Sequence, residues 1–549
     1  MSYNKILATG ILAATLVGCG GGDVNIAPSN QTSIGDTTTN ITNQGDTSNE
    51  VSCASYTLSG TVSQGSFDGT NCIYSKGFVD IDNPLTFDLA IPNIGTGVHV
   101  FEGSLVVGTN YATNADLATA GISEGGDGPV LTIAAGATLA FRSSDDFMVI
   151  NRGSQIRANG TADAPITLTS QTDAVFDSVG AEDVGEWGGL VINGFGLTNK
   201  CSYTGTYPNV TTTDCNVVSE GKADVGESNY GGDNDADNSG VLKYVVVKHT
   251  GAEVAPGNEL NGIAFNAVGN GTLVENLEVY SVYDDGIEFF GGAVNVTNYV
   301  ALYVRDDSID IDEGYRGTIT NALVIQSETD GNRCVESDGI GSYSSKDEAT
   351  KNDFIARGLN SQATIKNLTC IVSANSETTG THDAGQGLRI REAHFPTIQN
   401  AIVTTAYGAE EVTGDDDYNY CVRIDNEGLQ AAQDGDLVIS SSIIACQDLT
   451  KGNSLPNATS TADWLTASGN ALYQSAEAGD DPTAVSNTDL VILDGFYSVP
   501  TANMTVGTST VPTPVSSSII GAVAADNDWT SGWTYGLHEG SRAKPLWFE

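Results

Sequence analysis

The sequence predicts an all-β chain wound as a right-handed parallel β-helix, and three observations carry that expectation. First, a short apolar motif recurs as Gly262-Ile-Ala-Phe265, Gly286-Ile-Glu-Phe289, Ser308-Ile-Asp-Ile311, Cys334-Val-Glu-Ser337, Gly387-Leu-Arg-Ile390 and Cys421-Val-Arg-Ile424. Second, after each of the first five comes a turn and then an Asn opening another apolar strand: Asn276, Asn298, Asn321, Asn367 and Asn400. These asparagines are 22, 23, 46 and 33 residues apart. A solenoid rung is about that long; 46 is twice 23, and the longer steps leave room for insertions such as the polar loop 340–360. In register, the asparagines would stack as an amide ladder along the solenoid axis. Third, 64 Gly and only three Met among 549 residues, with abundant Val, Ile, Thr and Asn, favour strands and tight turns. A sandwich of antiparallel hairpins explains alternating strands but not an Asn in register with a repeated tetrapeptide.

In chain order, Lys5 and an uncharged apolar run from Ile6 to Val17 read as an export signal over 1–18, too short for the roughly 20 residues of a spanning helix. Leu16-Val17-Gly18-Cys19 resembles the lipobox of bacterial lipoproteins, which implies cleavage before Cys19 and its acylation. Gly rather than Asp at residue 20 implies sorting to the outer membrane. Residues 19–50 are a Thr/Asn/Ser/Gly/Asp tract with too little apolar surface to fold, and read as a tether. Residues 51–100 read as an N-terminal cap held by a disulfide. The β-helix follows over 101–549, opening with the echoing strands Leu131–Leu139, Met148–Ile156 and Pro165–Thr169. The finish from Trp529 through Trp533 and Tyr535 to Trp547 and Phe548 reads as an aromatic C-terminal cap.

Without Cys19, eight cysteines remain, an even number in an exported chain. Their order suggests neighbour pairing: Cys53 with Cys72, Cys201 with Cys215, Cys334 with Cys370 and Cys421 with Cys446, one of the 105 connectivities that eight cysteines allow. No pair has the Cys-x-x-Cys spacing of a zinc site. With 69 acidic and 22 basic residues, a formal net charge of −47 repels nucleic acid and anionic lipid headgroups. The partners such a charge implies are cations.

Strand alternation sends the odd residue of each tetrapeptide outward. One outward column then reads Ala264, Glu288, Asp310, Glu336, Arg389, Arg423, and its neighbour two residues on reads Asn266, Phe290, Asp312, Asp338, Arg391, Asp425. With rungs about 4.8 Å apart, Glu288, Asp310, Asp312, Glu336 and Asp338 would crowd into one patch, relieved by arginines or by Ca²⁺, which accepts several oxygen ligands. The pairs Asp284-Asp285 and Asp306-Asp307, 22 residues apart, would stack at one corner, as metal ligands or as turn-forming residues. A separate loop, Asp233-Asn-Asp235-Ala-Asp237, spaces its carboxylates like the start of a calcium loop but lacks the Gly and Glu that complete one; it reads as a calcium site or a solvated acidic loop.

This carboxylate-to-arginine face resembles that of pectate lyases and polygalacturonase-type glycosidases. The resemblance to the lyases implies Ca²⁺ on Asp310, Asp312, Glu336 and Asp338, with Arg389 or Arg391 as base; that to the glycosidases implies paired carboxylates as acid and base. Asp284-Asp285-Gly-Ile and Asp306-Asp307-Ser-Ile are similar to the glycosidase acidic pair, but no Gly-His-Gly follows on the next rung. Arg389-Ile-Arg391 stands where Arg-Ile-Lys is usual, and His382, which precedes that strand, could serve only as a stand-in for the histidine. Trp187-Gly-Gly-Leu-Val-Ile-Asn193, Asp284-Asp-Gly-Ile-Glu-Phe-Phe-Gly-Gly292 and Gly521-Ala-Val-Ala-Ala-Asp-Asn-Asp-Trp529 are similar to segments of surface β-helix lipoproteins of Gram-negative bacteria, over roughly 130–540. The expectation is therefore a lipid-anchored outer-membrane or cell-surface protein that binds glycan, divalent cations or both, a partner for an outer-membrane nutrient transporter. The alternative is a Ca²⁺-dependent polysaccharide lyase or glycoside hydrolase acting on an acidic polysaccharide. Glu288, Glu336, Asp338 and Arg423 are its expected substrate contacts, Asp310, Asp312, Arg389 and Arg391 its expected catalytic groups.

Overall fold

Period-two alternation gives each repeated strand one apolar face, and only stacking in register buries all of those faces together. The computed structural model describes residues 52–547 apart from 221–227, 256–257, 329, 374–384, 406–419, 447, 476–488, 494–496, 501–503, 507–511 and 525. The signal peptide 1–18, Cys19, the tether 19–50 and His382 lie outside the described residues.

The tetrapeptides form one parallel ten-stranded sheet, in chain order Leu105–Val107, Met148–Ile150, Leu190–Asn193, Ile263–Asn266, Ile287–Phe290, Ile309–Asp312, Arg333–Ser337, Gln386–Ile390, Tyr420–Ile424 and Asp448–Lys451. Each is followed by a strand of the second sheet, whose central members Leu273–Val282, Asn295–Val304, Thr318–Ile325 and Thr364–Val372 pair in parallel. These long strands bend at Asn276, Asn298, Asn321 and Asn367, where φ lies between 56° and 61°. Asn tolerates this left-handed conformation better than most side chains. Its amide then bonds its counterpart on the next rung: Asn298 to Asn276 at 3.0 Å, Asn321 to Asn298 at 2.9 Å, Asn367 to Asn321 at 2.8 Å and Asn400 to Asn367 at 3.1 Å. The direct bond across the 46-residue step makes it a single rung carrying an insertion, and part of that insertion is the helix Glu348–Ala356, N-capped by Asp347. The chain is thus a parallel β-helix, as its repeats predict.

The interior is apolar and continuous. Tyr74, Phe101, Phe141 and Trp187 stack rung on rung with centroids 4.7, 5.7 and 4.5 Å apart. All four expected disulfides are present. Two do more than close local loops: Cys334 and Cys421 lie on the ten-stranded sheet while Cys370 lies on the second sheet and Cys446 directly follows one of its strands, so each bridge crosses the solvent-free interior.

At the N-terminus the hairpin Ser55–Leu58/Thr61–Gln64 is antiparallel, and Cys53–Cys72 ties it to the first rung. Parallel pairing starts at Cys72–Tyr74, against His99–Phe101, so solenoid rungs begin inside the stretch read as a cap. The aromatic finish takes a different place from the one its sequence suggests. It runs along the flank rather than across the last rung, because the second sheet points Tyr280, Leu302, Leu323 and Ile371 outward and that surface must be covered. Ala522, Val523, Leu537 and Leu546 cover it, and Tyr535 N–H bonds Glu278 at 2.8 Å. At the C-terminal end, Ala471–Ser475 follows Ile443–Ala445 in parallel and is closed off by an antiparallel partner, Met504–Val506. Among the described residues no helix is long and apolar enough to cross a membrane.

Candidate cation site and the charged face

The outward column forms with the register that alternation dictates. Ala264 pairs Glu288, then Asp310, Glu336, Arg389, Arg423 and finally Lys451. Below Ala264 the same column holds Val191, Val149 and Val106. The face is therefore apolar, then acidic, then basic along its axis.

The corner before these strands is a second ladder. Asp285 Oδ1 accepts the backbone N–H of Asp307 at 3.0 Å, and Asp307 Oδ1 accepts that of Arg333 at 2.8 Å. Turn-forming work and proximity to the column are thus combined in one residue. Asp285 oxygens lie within 4.8 Å of those of Asp284 and Asp306 on one side and of Glu288 and Asp310 on the other. The two triads share Asp285. Asp285 is 8% and Glu288 6% exposed. Burial, then neighbouring carboxylates, pushes the carboxyls of Asp285 and Glu288 well above their usual range. For Asp310 the order is burial, then Glu336, Asp338 and Asp312. Asn261 donates to Glu288 and Asn332 to Asp306, yet Asp310 Oδ1 is buried without a hydrogen-bond partner. An all-oxygen donor set with an unsatisfied carboxylate oxygen suits a hard divalent cation such as Ca²⁺.

Farther along, the charges neutralise one another. Glu336 is surrounded by Arg333 at 3.1 Å, Arg391 at 2.9 Å and Arg389 at 3.7 Å. Arg391 also grips Asp338 through two bonds of 2.5 and 2.9 Å. Asp425 takes Arg423 at 2.8 Å and Arg389 at 3.6 Å. Asp312 stands beside this network, its Oδ1 accepting the Glu313 N–H at 2.6 Å, and burial with Glu313 and Asp338 raises its pKa. Asp307 is engaged by Arg333 at 3.4 Å and sits in neither triad.

A family model, the pectate-lyase-like β-helix domain, matches residues 109–490. The chain belongs to this family. No curated protein and no solved structure matches it.

Within this pectate-lyase-like β-helix domain the expected site residues divide into three groups. Asp284, Asp285, Asp306, Glu288 and Asp310 converge; Asp307, Asp312, Glu336, Asp338, Arg389, Arg391 and Arg423 belong to the adjoining charged network. The Asp233, Asp235 and Asp237 loop is a correction, because its carboxylates serve different neighbours. Asp233 accepts from Thr212 N–H at 3.1 Å, Asp235 from Leu197 N–H at 2.8 Å, and Asp237 from the N–H groups of Gly125 and Phe195 at 2.7 and 3.1 Å. These bonds tie insertions to the solenoid instead of converging on an ion.

Three charged residues of the face are absent from the motif reading: Lys451, which ends the column, Arg333 and Glu392. Arg333 occupies the corner position of Asp285 and Asp307 one rung on, and the residue preceding each tetrapeptide was the signal for it. Glu392, in left-handed backbone at φ 53°, is pushed up to about 7 by burial and by Asp338. Its only signal was adjacency to Arg391. For Arg391, Asp338 and Glu336 raise the pKa beyond its already high value, which opposes the role of proton-abstracting base.

Proposed function

We propose that this pectate-lyase-like β-helix domain is a lipid-tethered binder of acidic polysaccharide, and that Ca²⁺ held by Asp285, Glu288 and Asp310, flanked by Asp284 and Asp306, forms the bridge. The observation that carries the proposal is the pair of carboxylate triads sharing Asp285 on the outward face. Two unit charges about 4 Å apart repel by about 4 kcal/mol at an effective dielectric near 20, so a divalent ion gains affinity by relieving several such terms. A chain of formal charge −47 meets a polyanion only through such bridges. Acylation at Cys19 would keep the face at the outer membrane, where a nutrient transporter is the natural recipient of captured glycan. The test is calorimetric titration of the full chain with polygalacturonate and alginate, with Ca²⁺ or with chelator. Binding that requires Ca²⁺ and disappears in Glu288→Gln is the expected outcome; equal binding in chelator would overturn the bridge.

One observation favours a second, catalytic reading. Glu392, near pH 7 in titration and beside the Arg391–Asp338 pair, is suited to give and take a proton. In that reading the domain is a Ca²⁺-dependent lyase or a glycoside hydrolase. Release of unsaturated uronates, followed by absorbance, or of reducing ends from the same polymers detects it.

A further inference from the structure

On the flank that the C-terminal segment covers, the second sheet carries a carboxyl among its apolar side chains. Glu278 lies on Leu273–Val282, paired with Val246 on one side and Val300 on the other, and is fully buried. Its Oε2 accepts the Tyr535 N–H at 2.8 Å, while Oε1 is buried without a hydrogen-bond partner. Tyr535 stands edge-on to Tyr280 at 4.8 Å, and Gly536 passes so close that a Cβ there would collide with the Tyr280 ring. The segment is fastened nearby by groups that do not titrate. Asn400 exchanges bonds of 2.8 and 2.9 Å with Val515, Thr369 Oγ1 accepts the Ala522 N–H at 2.8 Å, and the Trp547 indole donates to the Gln326 carbonyl at 2.9 Å. Lys544 pairs with Glu182.

The cation beside Glu278 is already engaged. Lys248 Nζ lies 2.7 Å from Asp173 Oδ2 and 4.0 Å from the centre of the Tyr535 ring. Asp173, on the short helix Gln171–Ala174, also accepts from Thr169 at 2.6 Å; against the effect of its burial, Lys248 holds it below the usual carboxylate range, so it is charged. Burial keeps His249 below its ordinary value and raises Tyr280 and Tyr535, so these three are neutral at pH 7. Lys248 and Asp173 therefore cancel. An ionised Glu278 would leave one net negative charge sealed under the segment, with a single backbone N–H bonded to it. Burial accordingly holds its carboxyl well above the usual range, although the Tyr535 N–H and Lys248 act the other way.

We propose that the stretch from Trp529 to Trp547 is a proton-latched strap: the neutral Glu278 carboxyl holds it on the second sheet, and ionisation of that carboxyl releases it while the bonds at Asn400 and Thr369 keep it attached. The closed strap binds one proton more than the open one, so opening becomes easier as pH rises and is suppressed as pH falls. Opening hydrates the carboxylate and uncovers Tyr280, Leu302, Leu323 and Ile371, whose burial opposes release. The two costs are set against each other, and the proton decides between them. Neither the cation site on the ten-stranded face nor the lipid tether enters this device.

The experiment is native-state hydrogen exchange of the full chain and of Glu278→Gln, compared at each pH from about 6 to about 10. Gln keeps an acceptor for the Tyr535 N–H but cannot ionise, and comparison at equal pH cancels titration elsewhere. The ratio of opening constants for the amides of 529–547, parent over variant, should rise with pH and approach about tenfold per unit above the transition, as release of one proton requires. Amides of the strands beneath should show no such rise. Trp529, Trp533 and Trp547, three of the five tryptophans, lie on the strap. Acrylamide quenching of the parent should therefore increase over the same range with unchanged far-ultraviolet circular dichroism, and this readout decides alone if Glu278→Gln does not fold. A ratio that stays constant, or quenching that stays flat, overturns the latch. So does exchange of the strap only together with the strands beneath, because the strap then has no opening of its own.

Discussion

Asp310 concentrates the chemistry of the charged face: its neighbours are carboxylates, and Oδ1 has no hydrogen-bond partner. In Asp310→Asn one buried charge disappears while the shape is kept. In chelator this variant should be more stable than the parent by about 1–3 kcal/mol, the range for an unsatisfied buried polar group, and its melting temperature should no longer rise with Ca²⁺. Thermal melts with Ca²⁺ and with chelator measure both. Strand alternation made the column legible in the sequence, because a period of two allows only one set of residues to face outward. The joining of Asp285 to that column was not legible, since Asp285 lies beyond the strand end and the direction of its side chain depends on the corner. The same limit explains the Asp233 loop. Alternate spacing places three carboxylates in one loop, but the groups they meet come from residues 125, 195–197 and 212.

At the scale of the element, the asparagine ladder joins backbone conformation to packing. Asn298 at φ 61° bonds Asn276 below and Asn321 above. Asn298→Ala loses both amide bonds and places a Cβ-bearing residue without a polar side chain in left-handed backbone, a loss of about 2–4 kcal/mol. Asn298→Gly loses the same bonds but relaxes the backbone, and should recover about 1 kcal/mol of that. Denaturant melts of the two variants separate the bonds from the bend; equal losses would mean that backbone conformation contributes nothing. The ladder was readable because a repeat preserves spacing. The flank-covering role of the C-terminal segment was not, since its aromatic content says that it packs and leaves open what it packs against.

For the whole molecule, the buried carboxylates set how stability depends on pH. Asp285, Glu288, Asp307, Asp310 and Asp312 titrate well above their ordinary values, and Glu392 near 7. Their unfolded counterparts lose protons near pH 4, so between pH 4 and the raised values the native state binds more protons and stability falls as pH rises. The buried histidines act in the opposite direction: His99, His249 and His394 are held below 6.5, and the stability they contribute is lost as pH falls below that value. As pH rises above 6.5 the raised carboxylates dominate the response. In chelator the melting temperature should fall as pH rises above 6.5, and saturating Ca²⁺ should flatten the fall; a flat profile in chelator would refute the burial of charge at this site. The sequence by itself determined the winding of the chain, the disulfide partners and the order of charges along one face, because each follows from periodicity or from proximity along the chain. Tertiary structure alone decided which carboxylates share a cation site and where the aromatic finish lies. Those outcomes depend on corners and insertions, whose directions are set by contacts between rungs and not by the spacing of residues within one.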